Sequence, residues 1–246
     1  MEGTMPQENT GSAASGFLGM FNAFVDPAGL AKAATTKLFW LWPLITVTLI
    51  YVVFGYLMMP FTLQLMDTMM TQRMTAQNVP ADRIETARNM AHMFSSVGLV
   101  VTPIMIIAML ALAAWLVTVV GSIVGLRAKF RDVFSLVAAC SLITSLQYVA
   151  TFIVLKVKGD EITSPEQMTP PFGIDIFVQD VHGVMLALLN FFSIFTIWHF
   201  IILGFALAYM TKSSKGKAFV AITPAWLIPL LFRLVGAMFS GGNASS

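Results

Sequence analysis

Charged residues are scarce in this chain: Asp, Glu, Lys and Arg make up 11% of 246 residues, against about a quarter in an ordinary soluble domain. The few present avoid long stretches. Leu38–Met59, Val97–Leu126 and Phe134–Leu155 contain no Asp, Glu, Lys, Arg or His, Val184–Met210 contains only His199, and Ala218–Phe239 only Arg233. Such runs exclude a disordered chain and a soluble enzyme. Cysteine is almost missing too. The single Cys140 lies inside an apolar run, so no intrachain disulfide can form and a disulfide-stapled scaffold is excluded. The formal net charge is only +2, which leaves no basic footprint for nucleic acid. Catalytic motifs are absent as well: no G-x-S-x-G elbow, no H-E-x-x-H and no Walker A sequence. His92, His182 and His199 are scattered, and no span holds an Asp or Glu from which a carboxylate relay could be built. Neither an enzyme nor a cofactor is expected.

What is abundant is apolar sequence, 57% of the chain, with a mean hydropathy of +0.81. A membrane-crossing helix needs about 20 mostly apolar residues, and the five runs above all qualify. Backbone groups in hydrocarbon must be satisfied internally, so the spans are helices or barrel strands. Nothing alternates as a barrel would. The expected fold is therefore an all-α integral membrane protein, a bundle of five transmembrane helices over residues 38–240, with lipid as its surroundings. The first 16 residues carry Glu2 and Glu8 rather than a basic leader, so no cleavable signal peptide is expected and residues 1–16 read as a disordered tail. Residues 241–246 read as a flexible external tail.

Lys and Arg fix the expected orientation. Lys32 and Lys37 precede span one, Arg127, Lys129 and Arg131 link spans two and three, and Lys212, Lys215 and Lys217 link spans four and five. All eight fall on one side of a five-span protein. The positive-inside rule places that side, and the N-terminus, in the cytoplasm of a cytoplasmic (inner) membrane protein, with the C-terminus outside.

Residues 17–37 carry Phe17, Met20, Phe21 and Phe24 on one helical face, then Asp26 as an N-cap and Pro27 at the first position of a short helix. The segment reads as an amphipathic interfacial helix on the inner surface; packing against the bundle is the alternative. The first outer loop, 60–96, should contain a helix over about 81–94. The second, interrupted by Pro165, Pro170 and Pro171, should be irregular.

Several residues are candidates for more than filling. Gly121 with Gly125, and Gly204 with Ala208, form small-x-x-x-small ridges that let helices approach closely within the bundle or between copies, leaving a homo-oligomer open. Pro43, Pro103, Pro224 and Pro229 inside spans could kink the bundle statically or mark the broken helices of a small transporter. Met66, Met69, Met70, Met74, Met90 and Met93 surround His92, a soft-metal donor set that competes with the ordinary use of Met as a flexible filler. No Cys supports it, and no metal is assigned. Arg233, Asn190 and Gln147 count to a similar depth below the outer surface on spans five, four and three. Either Arg233 snorkels to headgroups, or the three form a buried polar cluster in the outer half of the bundle that braces helices or lines an anion-binding cavity.

The stretches "FNAFVDPAGL" (Phe21–Leu30) and "FWLWPLI" (Phe39–Ile45), with the ending "IWHFIILGFALAYMTKSSKGKAFVAITPAWLI", resemble the Yip family of Ypt/Rab-interacting membrane proteins. The resemblance rests on Asp26-Pro27, on Trp40 and Pro43 entering span one, and on Trp198 in span four. Eukaryotic members have longer cytoplasmic N-terminal regions and serve vesicle traffic through Rab-type GTPases. The short N-terminal segment and large first outer loop resemble the prokaryotic branch. There the resemblance implies an accessory or assembly role beside a membrane-protein partner, an ABC-type exporter being one such system, or a role in membrane organisation.

Overall fold

The computed structural model describes residues 13–159, 165–168, 172–178 and 183–241. Of the expected end tails over 1–16 and 241–246, residues 1–12 and 242–246 lie outside the described residues, whereas residues 13–16 belong to α1 and Gly241 ends α9; Asp160, Glu161, Pro170, Pro171, Asp180 and His182 of the second outer loop also lie outside. The helices are α1 (Ala13–Gly19), α2 (Asn22–Val25), α3 (Pro27–Ala34), α4 (Leu41–Ala76), α5 (Ala81–Ile123), α6 (Phe130–Lys158), α7 (Gly183–Phe191), α8 (Ile194–Thr211) and α9 (Lys215–Gly241). Two 3-10 turns, Pro165–Met168 and Ile174–Phe177, interrupt the second loop. No strand occurs among the described residues.

Five helices, α4, α5, α6, α8 and α9, are long and apolar enough to cross a membrane. α6 runs through the middle, against α4, α5 and α8, and α9 closes the bundle against α5, α7 and α8. Small residues let it do so: Ala138, Ala139, Ala206, Ala218 and Ala221 are fully buried, with Leu136, Ile143, Leu207 and Ile222 filling the space between them. The basic links are neighbours at one end of the bundle. A Cβ on Gly125 would lie 3.8 Å from the Lys217 ammonium, and Arg131 donates to the Thr35 carbonyl at 3.3 Å.

Two helices are far longer than a bilayer requires. α4 has 36 residues and α5 has 43, roughly 54 and 64 Å at 1.5 Å per residue, against a hydrocarbon core of about 30 Å. The expected loop over 60–96 is therefore not a loop holding a separate helix: α4 continues through Pro60 to Ala76, and α5 starts at Ala81. Pro60 is exposed; it removes one backbone bond and its ring crowds the carbonyl four residues back, yet α4 runs on through it. The Leu, Met, Gln and Arg residues beyond it are strong helix formers. The reversal takes four residues, with Asn78 in the left-handed region (φ 56°) and Val79 donating back to the Met74 carbonyl at 3.0 Å. The resulting arm is pinned by Asp67, which contacts His92 Nε2 at 3.0 Å and Arg88 Nε at 3.5 Å. Arg88 also donates to Thr71 at 3.2 Å.

The N-terminal segment packs against the bundle, the alternative left open above. Gly16 lies against Trp42 and Met20 accepts from the Thr46 hydroxyl at 3.7 Å, so α1 advances alongside α4. The chain turns at Asp26, whose carboxylate caps α3 by accepting from Gly29 N–H at 2.9 Å, with Pro27 at the first helical position. α3 then returns along α8 to Thr35 beside Arg131. Met20, Ala23, Leu30 and Ala34 are buried, whereas Phe17 and Phe21 are 40% and 46% exposed. The four apolar residues thus divide between two faces, because the helix breaks at Met20–Phe21.

The prolines do not break the spans. Pro43 occupies the first turn of α4, where its missing N–H has no partner to lose. Pro103, Pro224 and Pro229 lie within the continuous α5 and α9. The interruption falls within the apolar run Val184–Met210 instead, between α7 and α8 at Phe192 and Ser193, so that α8 alone, Ile194–Thr211, is the fourth helix long enough to cross.

Candidate functional site: a polar bridge at the break in span four

A helix that stops inside a bundle leaves backbone donors and acceptors that must find partners. Here the second outer loop and the neighbouring spans supply them. Ser193 is extended (φ −70°, ψ 156°) and its hydroxyl oxygen accepts from Thr196 N–H at 3.1 Å, capping α8. Ile194 N–H donates to the Phe172 carbonyl at 3.0 Å. Gly173 permits this approach, since a Cβ there would stand 2.6 Å from the Leu189 carbonyl oxygen.

Two hydrogen-bonded chains cross the break. In the first, Arg233 donates to Asn190 Oδ1 at 2.6 Å, Asn190 Nδ2 donates to Asp175 Oδ2 at 3.2 Å, and Asp175 Oδ1 accepts from Gly173 N–H at 3.0 Å. Asn190 is buried. Its amide turns oxygen towards the cation and nitrogen towards the anion, so one side chain satisfies both charges. In the second, the Ser193 hydroxyl donates to Gln147 Oε1 at 2.9 Å, joining α6 to the start of α8. Arg233 and Asn190, two of the three residues of the expected polar cluster, do meet. Gln147 does not join them, because its amide oxygen is taken by Ser193. Asp175 and Ser193 were missed. The signals for them were an N-cap residue inside an apolar run and the only acid beside Gly173 in a loop that returns to the bundle.

Beside the bridge, Phe172, Ile176, Phe177, Phe192, Ile194 and Ile197 line an open apolar groove of about 380 Å³. Trp226 packs at tilted and edge-on angles against Phe191, Phe192 and Phe200, with its indole N–H buried and lacking a hydrogen-bond partner. The arrangement braces α6, α7, α8 and α9 with the second outer loop.

The Yip1 domain family model matches residues 21–237. This chain belongs to the Yip1 domain family. No curated protein and no solved structure matches it. The Yip1 domain contains every motif residue noted in the sequence. Asp26 and Pro27 make the turn between α2 and α3. Trp40 meets Phe134 edge to face, with ring centres 6.2 Å apart, and Pro43 follows in the first turn of α4. Trp198 donates its indole N–H to the Phe24 carbonyl at 2.9 Å, holding the N-terminal segment on α8. His199, one residue on, contacts the Cys140 carbonyl of α6 at 3.0 Å.

The small-residue pairs behave differently from one another. Gly204 is a close-packing site: a Cβ there would stand 2.5 Å from the Phe219 ring of α9. Ala208, one turn on, is also buried. Gly121 faces α9 with room to spare, 3.8 Å from the Ala221 methyl. Gly125 forms no ridge with it. It lies beyond the end of α5 at φ +82°, where Leu126 N–H closes back onto the Gly121 carbonyl at 2.7 Å, a left-handed turn that only glycine adopts without strain.

Nor do the Met and His residues of the arm converge. Met66, Met69, Met70 and Met74 line one groove on α4. Met90 and Met93 are exposed on α5, and His92 is held by Asp67. Among the described residues no three His, Cys, Asp or Glu side chains gather as metal ligands.

Proposed function

We propose that this Yip1 domain protein is a non-enzymatic accessory or assembly factor of the cytoplasmic membrane. It would act on other membrane proteins, an ABC-type exporter being one candidate, or on membrane organisation. The arm supports this reading: it projects past the bundle that anchors it, and the bundle does not need it to cross the bilayer. With the basic links inside, the arm stands outside. A groove of about 620 Å³ along it, lined by Asp67, Thr68, Thr71, Gln72, Thr75 and Arg88, is the docking surface for a partner segment. Capture of the full chain from native membranes tests this. One membrane protein should be recovered in fixed ratio and lost on Gln72→Arg. Recovery unaffected by Gln72→Arg would contradict it.

The break at Ser193, at the start of the fourth crossing helix, favours a second reading, a small transporter, since interrupted helices frame substrate sites in many carriers. Specific solute flux by the purified protein alone in liposomes would establish that reading and displace the first.

A further inference from the structure

One cavity of the bundle is lined mainly by hydroxyl groups. Tyr51 and Thr62 of α4, Ser95 and Thr102 of α5, and Tyr148 of α6 border a space of about 170 Å³ where the three helices meet. Helical periodicity puts them there: Tyr51, Gly55 and Thr62 share one face of α4, and Ser95 lies two turns before Thr102 on α5. Gly55 keeps the space open, since a Cβ on it would stand 3.3 Å from Leu99 and 3.6 Å from the Tyr148 hydroxyl. The Tyr51 and Tyr148 rings lie 4.9 Å apart at its side. None of the described residues that line it is charged.

Hydroxyls inside a bundle often tie one helix to another, and these threonines do not. Thr62 donates to the Met58 carbonyl at 3.3 Å and Thr102 to the Gly98 carbonyl at 2.9 Å, each within its own helix. With their protons committed, both offer only lone pairs to the cavity. Whatever binds between them must bring donors. Height narrows the choice further. Thr62 lies 21 residues beyond Leu41 and Thr102 lies 21 residues before Ile123, roughly 31 Å from the basic end of each helix. A mean tilt of about 20° brings this to roughly 30 Å. Tyr148, 18 residues beyond Phe130, comes to roughly 25 Å by the same count. Since the hydrocarbon core is about 30 Å thick, the threonines stand at the level of the headgroups opposite the basic links, and Tyr148 just beneath them.

We infer that the cavity holds the headgroup of an ethanolamine-type phospholipid. Its ammonium donates to the Thr62 and Thr102 oxygens, and its phosphate accepts from the Tyr148 hydroxyl. A primary ammonium carries three donors and no acceptor, and its charge strengthens each bond. The lipid's own phosphate balances that charge, so an uncharged lining suffices. In such a lipid the phosphate joins the acyl-bearing glycerol to the amine, and Tyr148 lies deeper than the two threonines, in the same order. A choline headgroup has no N–H to offer, and an anionic headgroup meets no cation here. A free amine in water lacks the acyl chains that hold the ligand at this height.

Lipid retention tests this. The purified full chain, stripped of lipid, is reloaded from equal mixtures of ethanolamine, choline and glycerol phospholipids with the same acyl chains, and the retained lipid is counted by native mass spectrometry. The ethanolamine lipid should be retained at least about tenfold over the choline lipid, as expected for lost hydrogen bonds from a charged donor. Its mono- and dimethylated forms should fall between, in order of the N–H groups left. Thr62→Val combined with Thr102→Val keeps the shape and removes both acceptors, so the preference should drop below about twofold. Thr118→Val, whose hydroxyl donates to the Ala114 carbonyl at 2.7 Å outside the cavity, should keep the preference. Free ethanolamine in excess should not displace the lipid. Equal retention of all three lipids, preference for the glycerol lipid, indifference to N-methylation, displacement by free ethanolamine, or a preference that survives the double substitution would overturn the inference. The methylation series uses the unaltered chain, so the inference stays testable if the double variant does not fold. Partner capture through the arm groove is read separately and stands or falls by itself.

Discussion

Replacing Gly204 by alanine and Gly121 by alanine should have opposite consequences, although both glycines face α9 from packed helices. At Gly204 the new Cβ would stand 2.5, 2.7 and 2.9 Å from three atoms of the Phe219 ring. Carbon contacts settle at about 3.5–4.0 Å, so the ring must retreat by about 1 Å. Phe200 and Phe205 stand at 5.4 and 5.7 Å from that ring, centre to centre, and resist the movement. Overpacking of this kind costs about 1–3 kcal/mol, set against about 1 kcal/mol gained by removing a glycine from a helix interior. At Gly121 the nearest atoms are 3.6 Å away, an ordinary contact, so only the helix-propensity gain remains. The two variants should differ by about 1–3 kcal/mol, Gly121→Ala being the more stable. Thermal unfolding in one detergent, followed by tryptophan fluorescence, measures the difference. Phe219→Leu should rescue Gly204→Ala by shortening the obstacle. Equal shifts, or a more stable Gly204→Ala, would refute the packing argument.

The polar bridge should be structural: Arg233→Leu leaves Asn190 without its charged donor and should cost about 1–3 kcal/mol of stability, read by the same unfolding assay. Unchanged stability with loss of a bound lipid or partner would instead mark the bridge as a binding site. Asp26→Ala should cost about 1 kcal/mol through loss of the α3 cap and expose the N-terminal segment to protease, while leaving membrane insertion intact. A reporter active only outside the membrane should work after Ser246, and a cytoplasmic reporter after Lys215; reversal of either result would refute the orientation.

The five spans were legible because hydrocarbon demands apolar length, and nothing in Leu38–Met59 or Phe134–Leu155 competes with that reading. The arm was not. Pro60 followed by polar residues reads as the end of a helix, yet Leu, Met, Gln and Arg keep the helix going through it. At the bridge, counting residues gave height but not direction around the helix: Arg233 and Asn190 point towards each other, and Gln147 points to Ser193. The interruption at Ser193 left almost no mark in an apolar run, since its compensation comes from Phe172 and Gly173, some twenty residues earlier. His92 and Asp67, 25 residues apart, meet only because the arm folds back on itself. For the N-terminal segment, periodicity identified the apolar residues and the Asp26–Pro27 start correctly, but it could not show that the bundle would take Met20 and leave Phe21 outside.

Photo-cross-linking in intact cells, with the reactive side chain placed at Thr68 or Gln72 in the arm groove and at the exposed Tyr209 as a control, tests the proposed accessory role most directly. The account predicts one discrete adduct with another membrane protein from both groove positions and none from Tyr209. The same adducts from all three positions, or no protein adduct from the groove, would contradict it.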